Sequence, residues 1–261
     1  MLENRRYGYL TPENDGGYIK MVKGQNIAGF PIGIIYIDEV YYPMLPGNVV
    51  NGCTYRFPVR LKAVKGLDVP NLFHMGDQVY EHILDACLEL EQEGVRAISS
   101  ACGFFGNYHD RIAAKINVPT ALSSLVQLPW IAALIKPDQK IGVITADKSS
   151  FSDHLLRSCG VPENLWERLV VKDARETKEF CCVIEQRGGW DNTTAREEIV
   201  SLGLEIVEEF PNTGAILLEC SDMPPYAYAV QAATQLPVFD FITLINWLYQ
   251  SVSQKPYCGF I

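Results

Sequence analysis

Ala97-Ile98-Ser99-Ser100-Ala101-Cys102 and Ala215-Ile216-Leu217-Leu218-Glu219-Cys220 are the two stretches on which the reading of this chain turns. Each is a short apolar run ending in a cysteine, followed by a helical pattern. A proline that opens a further strand comes 17 positions after each cysteine, as Pro119 and Pro237. A second pair of segments precedes them in the same order: Ile32-Gly33-Ile34-Ile35 running to Asp38, and Ile141-Gly142-Val143-Ile144 running to Asp147. Agreements in one order point to a duplicated unit rather than to chance likeness. Strand and helix patterns alternate along the chain, which predicts mostly parallel sheets flanked by helices.

The fold class that follows is α/β: two similar lobes related by a pseudo-twofold, with a cleft between them. The first lobe is placed at residues 31–122 together with the C-terminal segment 236–261, which packs back on it. The second is placed at residues 123–235, and residues 1–30 form an irregular N-terminal arm. Within this frame Asp77 to Glu93 reads as an amphipathic helix stopped by Gly94. Phe57 to Val64 and Phe180 to Ile184 read as strands. Thr194 with Glu197 gives a capping-box pattern for a helix ending before Gly203.

Cys102 and Cys220 then sit at carboxyl ends of strands, where open α/β sheets bind ligands. A turn into a helix predicts a thiol pKa below the ordinary value. If the lobes face each other, the two sulfurs confront each other across the cleft, roughly 7–10 Å apart, with room for one carbon between them. One thiolate can remove a proton while the opposite thiol returns one, which inverts a stereocentre without metal or cofactor. Asp38, Ser123, Ser124, Thr145 and Ser221 lie at or just beyond strand ends and are the polar groups expected to line such a cleft.

These residues resemble the aspartate/glutamate/hydantoin racemase superfamily. The resemblance covers about residues 31–252. It rests on Ser99-Ser100-Ala101-Cys102-Gly103-Phe104, on Leu218-Glu219-Cys220-Ser221-Asp222-Met223-Pro224, on Ile32 to Asp38, Lys140 to Asp147, and on Pro237-Val238-Phe239-Asp240. Pro46-Gly47-Asn48 through Phe57-Pro58-Val59 is similar to a poorly characterised branch of it. The resemblance implies a cofactor-independent pair of thiols, Cys102 and Cys220, acting on an amino acid or related small carboxylate or cyclic amide. Asn48, Gly103 and Phe104 join the expected substrate-binding set. Glutamate racemases have Cys-Asn-Thr and Cys-Thr-His where this chain has Cys102-Gly103-Phe104 and Cys220-Ser221-Asp222, and Phe104 and Phe105 imply a more apolar wall. The expected activity is a racemase or epimerase. The alternatives are an isomerase or carbon–carbon lyase of a small dicarboxylate using mainly Cys220, and a non-catalytic small-molecule binding protein.

Composition narrows the partners. The 261 residues carry 22 Lys+Arg against 31 Asp+Glu, a formal net charge of -9, which disfavours nucleic acid. No apolar run approaches the length of a membrane span, and the first residues lack a signal-peptide core. A cytoplasmic protein with reduced thiols is the expectation; self-association into a homo-oligomer is left open. The eight cysteines include no C-x-x-C pair, and the four histidines have no ligand spacing, so no metal is expected. Cys87, Cys159, Cys181 and Cys182 read as core residues, and His109 as a surface residue at a helix start. Arg60 reads equally as a carboxylate binder or half of an ion pair.

Overall fold

The structure, a computed structural model, describes residues 16, 18, 23–72 and 76–261. Most of the expected 1–30 arm lies outside the described residues, as does His74. Two four-stranded parallel sheets form the framework. The first contains β1 (Ile32–Glu39), β2 (Val59–Asp68), β3 (Ala97–Ser100) and β4 (Thr120–Ala121) in the order β2-β1-β3-β4. The second contains β5 (Lys140–Thr145), β6 (Leu169–Asp173), β7 (Thr213–Leu218) and β8 (Val238–Phe239) in the order β6-β5-β7-β8.

The duplication extends to single hydrogen bonds. The Ala101 amide donates to the Ile35 carbonyl at 2.8 Å, and the Glu219 amide donates to the Ile144 carbonyl at 2.8 Å. Ile98 N–H reaches Pro119 O at 2.9 Å, and Ile216 N–H reaches Pro237 O at 2.9 Å. After each cysteine the chain turns the same way, with Phe105 N–H on Cys102 O and Met223 N–H on Cys220 O, both at 3.2 Å. Near-continuous apolar strands suit parallel sheets covered on both faces, and β3 and β7 are buried along their whole length.

Several boundaries differ from the sequence reading. β8 pairs with β7, so the second lobe runs through residue 239 rather than ending at 235. The chain returns to the first lobe only with the helix Phe241–Val252, whose Phe241, Leu244, Ile245 and Leu248 bury against Ile32, Ile34 and Ala97. Phe180 to Ile184 is not a strand: Cys182–Glu185 forms a short helix, and the missing strand is β6, eleven residues earlier. The Asn192–Glu209 helix is capped by Asp191, whose side chain accepts from the Thr194 amide, and it passes straight through Gly203. A β-carbon at Gly203 would lie 3.0 Å from Val230 Cγ1, so this glycine serves close helix packing rather than a stop. Phe105, Leu125, Leu155, Val143 and Leu217 belong to one apolar cluster that joins the two lobes. No helix among the described residues is long and apolar enough to cross a membrane.

Candidate active site

Cys102 and Cys220 line one pocket between the lobes. Gly103, Phe104 and Ser221 from the expected set line it too. The Ser221 hydroxyl donates to the Ala101 carbonyl at 2.9 Å, tying the second cysteine's turn to the first. Asn48 reaches the site from the loop after β1: its Nδ2 donates to Asp222 Oδ1 at 2.5 Å. Thr145 stands one step behind, donating to Glu219 Oε2 at 3.0 Å.

Three expected residues fall elsewhere. Asp38 is exposed at the end of β1 and accepts from the Gly66 amide at 3.1 Å, so it stabilises the end of β2 rather than a ligand. Ser123 is buried as the N-cap of the Ser124–Gln127 turn, accepting from the Leu125 amide. Ser124 donates to the carbonyls of Leu218 and Glu219, at 3.2 and 3.3 Å, and thereby fixes the end of β7. His109 is half-buried at the Leu122 amide, and Arg60 forms the ion pair with Glu93 at 2.6 Å. Among the described residues no group of three metal-binding side chains comes together.

The sequence reading missed Tyr42, Glu219 and Asp222 as site residues. All three line the pocket, and both carboxyls are buried. Asp222 Oδ2 receives Tyr42 OH at 3.4 Å, the Cys220 thiol at 3.5 Å and Ser221 Oγ at 3.5 Å. Burial pushes the Asp222 carboxyl up to about 6, against the pull of the Asn48, Cys220, Tyr42 and Ser221 hydrogen bonds. Burial pushes Glu219 up to about 7, opposed by the Thr145 hydroxyl and the Ala146 amide.

The expected lowering of the thiol pKa is overturned. Burial pushes Cys102 up, and the Glu219 charge adds to it; the amides of Phe104 and Phe105 pull the other way without prevailing. Burial likewise pushes Cys220 well up, reinforced by Asp222 and Glu219. The turn donates as predicted, but desolvation of a thiolate costs more than two amides return. Burial and the neighbouring carboxyls therefore both favour the protonated thiols.

The raised carboxyls have a consequence for stability. An acid that titrates higher in the folded state than in the unfolded one makes folding take up protons between the two values. Stability contributed by Glu219 is therefore lost as pH rises from about 4.5 towards about 7. Glu219→Gln removes that ionisation. The variant is expected to melt above the wild-type protein near pH 8, by up to about 3 kcal/mol in stability, and to match it near pH 5. Thermal unfolding followed by circular dichroism at both pH values checks this.

No family model matches the chain. Solved structures share its fold. Unliganded arylmalonate decarboxylase superposes with a TM-score of 0.57 at 17% identity, covering 87% of this chain and 93% of its own. Allantoin racemase from Klebsiella pneumoniae gives 0.59 at 14% identity, covering 85% and 86%. At these identities the likeness shows the fold alone: the two-lobed α/β architecture is shared with a decarboxylase and a racemase. Sequence relatives are more specific. Dimethylsulfoniopropionate lyase 7 of Emiliania huxleyi is 31% identical over 268 residues, covering 98% of this chain and 76% of its own. Dimethylsulfoniopropionate lyase of Durusdinium is 30% identical over 245 residues, covering 91% and 80%. The chain belongs to this dimethylsulfoniopropionate lyase family.

Proposed function

We propose that the protein is a lyase that eliminates dimethyl sulfide from dimethylsulfoniopropionate by removing a proton from C2. The observation that carries the reading is the charge of the pocket. Two buried carboxyls, Glu219 and Asp222, stand beside two thiols, and no Lys or Arg lines it among the described residues. This pocket suits a substrate that brings a fixed positive charge.

The substrate's own charge then activates the base. A sulfonium placed among Glu219, Asp222 and the thiols offsets the carboxylates that disfavour a thiolate. The Cys220 thiol already donates towards Asp222, so its proton has an acceptor. The Cys220 thiolate takes a C2 proton; the C2–H electrons form the C2–C3 double bond, and the C3–S bond breaks with its pair on sulfur. The products are acrylate, dimethyl sulfide and one proton, held first on Cys220. Cys102, without a carboxyl in hydrogen-bond reach, bounds the other side of the pocket. The racemase reading keeps one observation in its favour, the symmetry of the two cysteine turns.

The reading is tested with two sulfonium acids. Dimethylsulfoniopropionate is expected to yield dimethyl sulfide in the headspace and acrylate in equal amounts. Its homologue 4-(dimethylsulfonio)butanoate, with the leaving group one carbon too far from the acidic C2 proton, is expected to yield none. Release from both compounds, or from neither, contradicts C2-proton elimination.

A further inference from the structure

The two carboxyls of the pocket are not equivalent. Both oxygens of Asp222 are already engaged: Oδ1 by Asn48, and Oδ2 by Tyr42 and Cys220. Glu219 is different. Its Oε2 is held by Thr145, while Oε1 is buried and has no hydrogen-bond partner among the described residues. A buried carboxylate oxygen without a partner is costly unless something else satisfies it.

The backbone makes room for that oxygen deliberately. A β-carbon on Gly103 would lie 1.6 Å from Glu219 Oε1, so the carboxyl occupies the space that a side chain next to Cys102 would fill. In the duplicated unit the position before the cysteine is Ala101 in the first half and Glu219 in the second, with the same backbone hydrogen bond at both. The carboxyl is therefore an addition to one side of an otherwise symmetric framework, and it projects into the pocket wall.

We propose that Glu219 is the residue that determines substrate class: its unpartnered Oε1 is the counter-ion for the onium group of a zwitterionic carboxylate. This rests on the reading of the pocket as a sulfonium site but concerns binding alone. Any onium propionate of this size, sulfonium or quaternary ammonium, is then a ligand, and its uncharged carbon isostere is not. Asp222 serves the thiol, and Glu219 serves the cation.

The test uses two non-reactive isosteres, 3-(trimethylammonio)propanoate and 4,4-dimethylpentanoate, with titration calorimetry on the full chain. Near pH 8 the wild-type protein is expected to bind the cation more tightly by about tenfold or more. Glu219→Gln, of the same shape but uncharged, is expected to bind the two alike, with circular dichroism reporting its fold. In the wild-type protein the preference is expected to shrink towards pH 5.5, where Glu219 is protonated. The titratable groups facing Glu219 are Asp147 from the end of β5, Cys102, Cys159, and Cys220 with Asp222 from its own segment. Of these only Asp222 ionises in the same range. The glutamine variant separates the two, since it retains Asp222. Equal affinities in the wild-type protein, including no measurable binding of either probe, overturn the proposal, as does a glutamine variant that keeps the preference. Neither probe can release dimethyl sulfide. A cation preference carried by Glu219 without lyase activity upholds this inference and discards the lyase; lyase activity with isosteres bound alike does the reverse.

Discussion

Cys220→Ser is expected to lower kcat/KM for dimethylsulfoniopropionate by about three orders of magnitude, or about 4 kcal/mol in barrier. A hydroxyl is far less acidic than a thiol, and its alkoxide is not reachable in a pocket this buried, even with Asp222 as proton acceptor at the same position. Cys102→Ser is expected to cost less, about one to two orders, because elimination needs one base and Cys102 has no carboxyl within hydrogen-bond reach. The inequality separates the two chemistries. A racemase acting through both faces needs both thiols for turnover and loses comparably from either. Steady-state kinetics of the two variants, with dimethyl sulfide as readout, decide it. Equal losses favour the two-thiol reading, and full activity in Cys220→Ser removes Cys220 as the base.

The second large effect is expected from one methyl group. In Gly103→Ala the new β-carbon meets Glu219 at Oε1 (1.6 Å), at Cδ (2.4 Å) and at the backbone carbonyl (2.7 Å). Neither partner yields easily. The carboxyl is buried and held by Thr145, and the carbonyl accepts from Ser124. The turn Gly103–Tyr108 has to move away from the second lobe, carrying Cys102 and Phe104 with it. A displacement of about an ångström at reacting groups costs on the order of 100-fold in kcat/KM. Removing the side chain with Glu219→Ala in the same background relieves two of the three contacts. It is expected to recover thermal stability without recovering turnover. Gly103→Ala with wild-type kcat/KM contradicts the packing described for this wall.

The duplication was legible because it is written in local pattern. Two apolar strands ending in cysteine, with a proline 17 positions on, are visible without any tertiary knowledge, and they place Cys102 and Cys220 in one pocket. β6 was not legible. It is an edge strand of five residues whose apolar run, Leu169-Val170-Val171, is only three residues long before Lys172 and Asp173, and Lys172 pairs with Glu205 and Glu209 at 3.2 and 2.6 Å. Phe180 to Ile184 was taken for it because a short apolar run does not distinguish strand from helix. Its Val183 and Ile184 instead wall the pocket. Asp38 failed for the opposite reason: a polar residue at a strand end is as readily a turn cap as a ligand group. Glu219 carried a signal that pattern alone could have caught, a charge closing an apolar strand where the other half has alanine. The direction of the thiol pKa could not be read in sequence, since burial is a property of the assembled lobes.

The account stands on proton removal from C2 with loss of dimethyl sulfide, and proton NMR in heavy water observes that most directly. The wild-type protein is incubated with dimethylsulfoniopropionate and, separately, with L- and D-amino acids. The predicted result is dimethyl sulfide and acrylate growing in at one to one, with no deuterium at C3 of the acrylate and no α-deuterium in any amino acid. Deuterium entering the α-position of an amino acid while dimethylsulfoniopropionate stays intact would contradict the account and return the pocket to racemase chemistry.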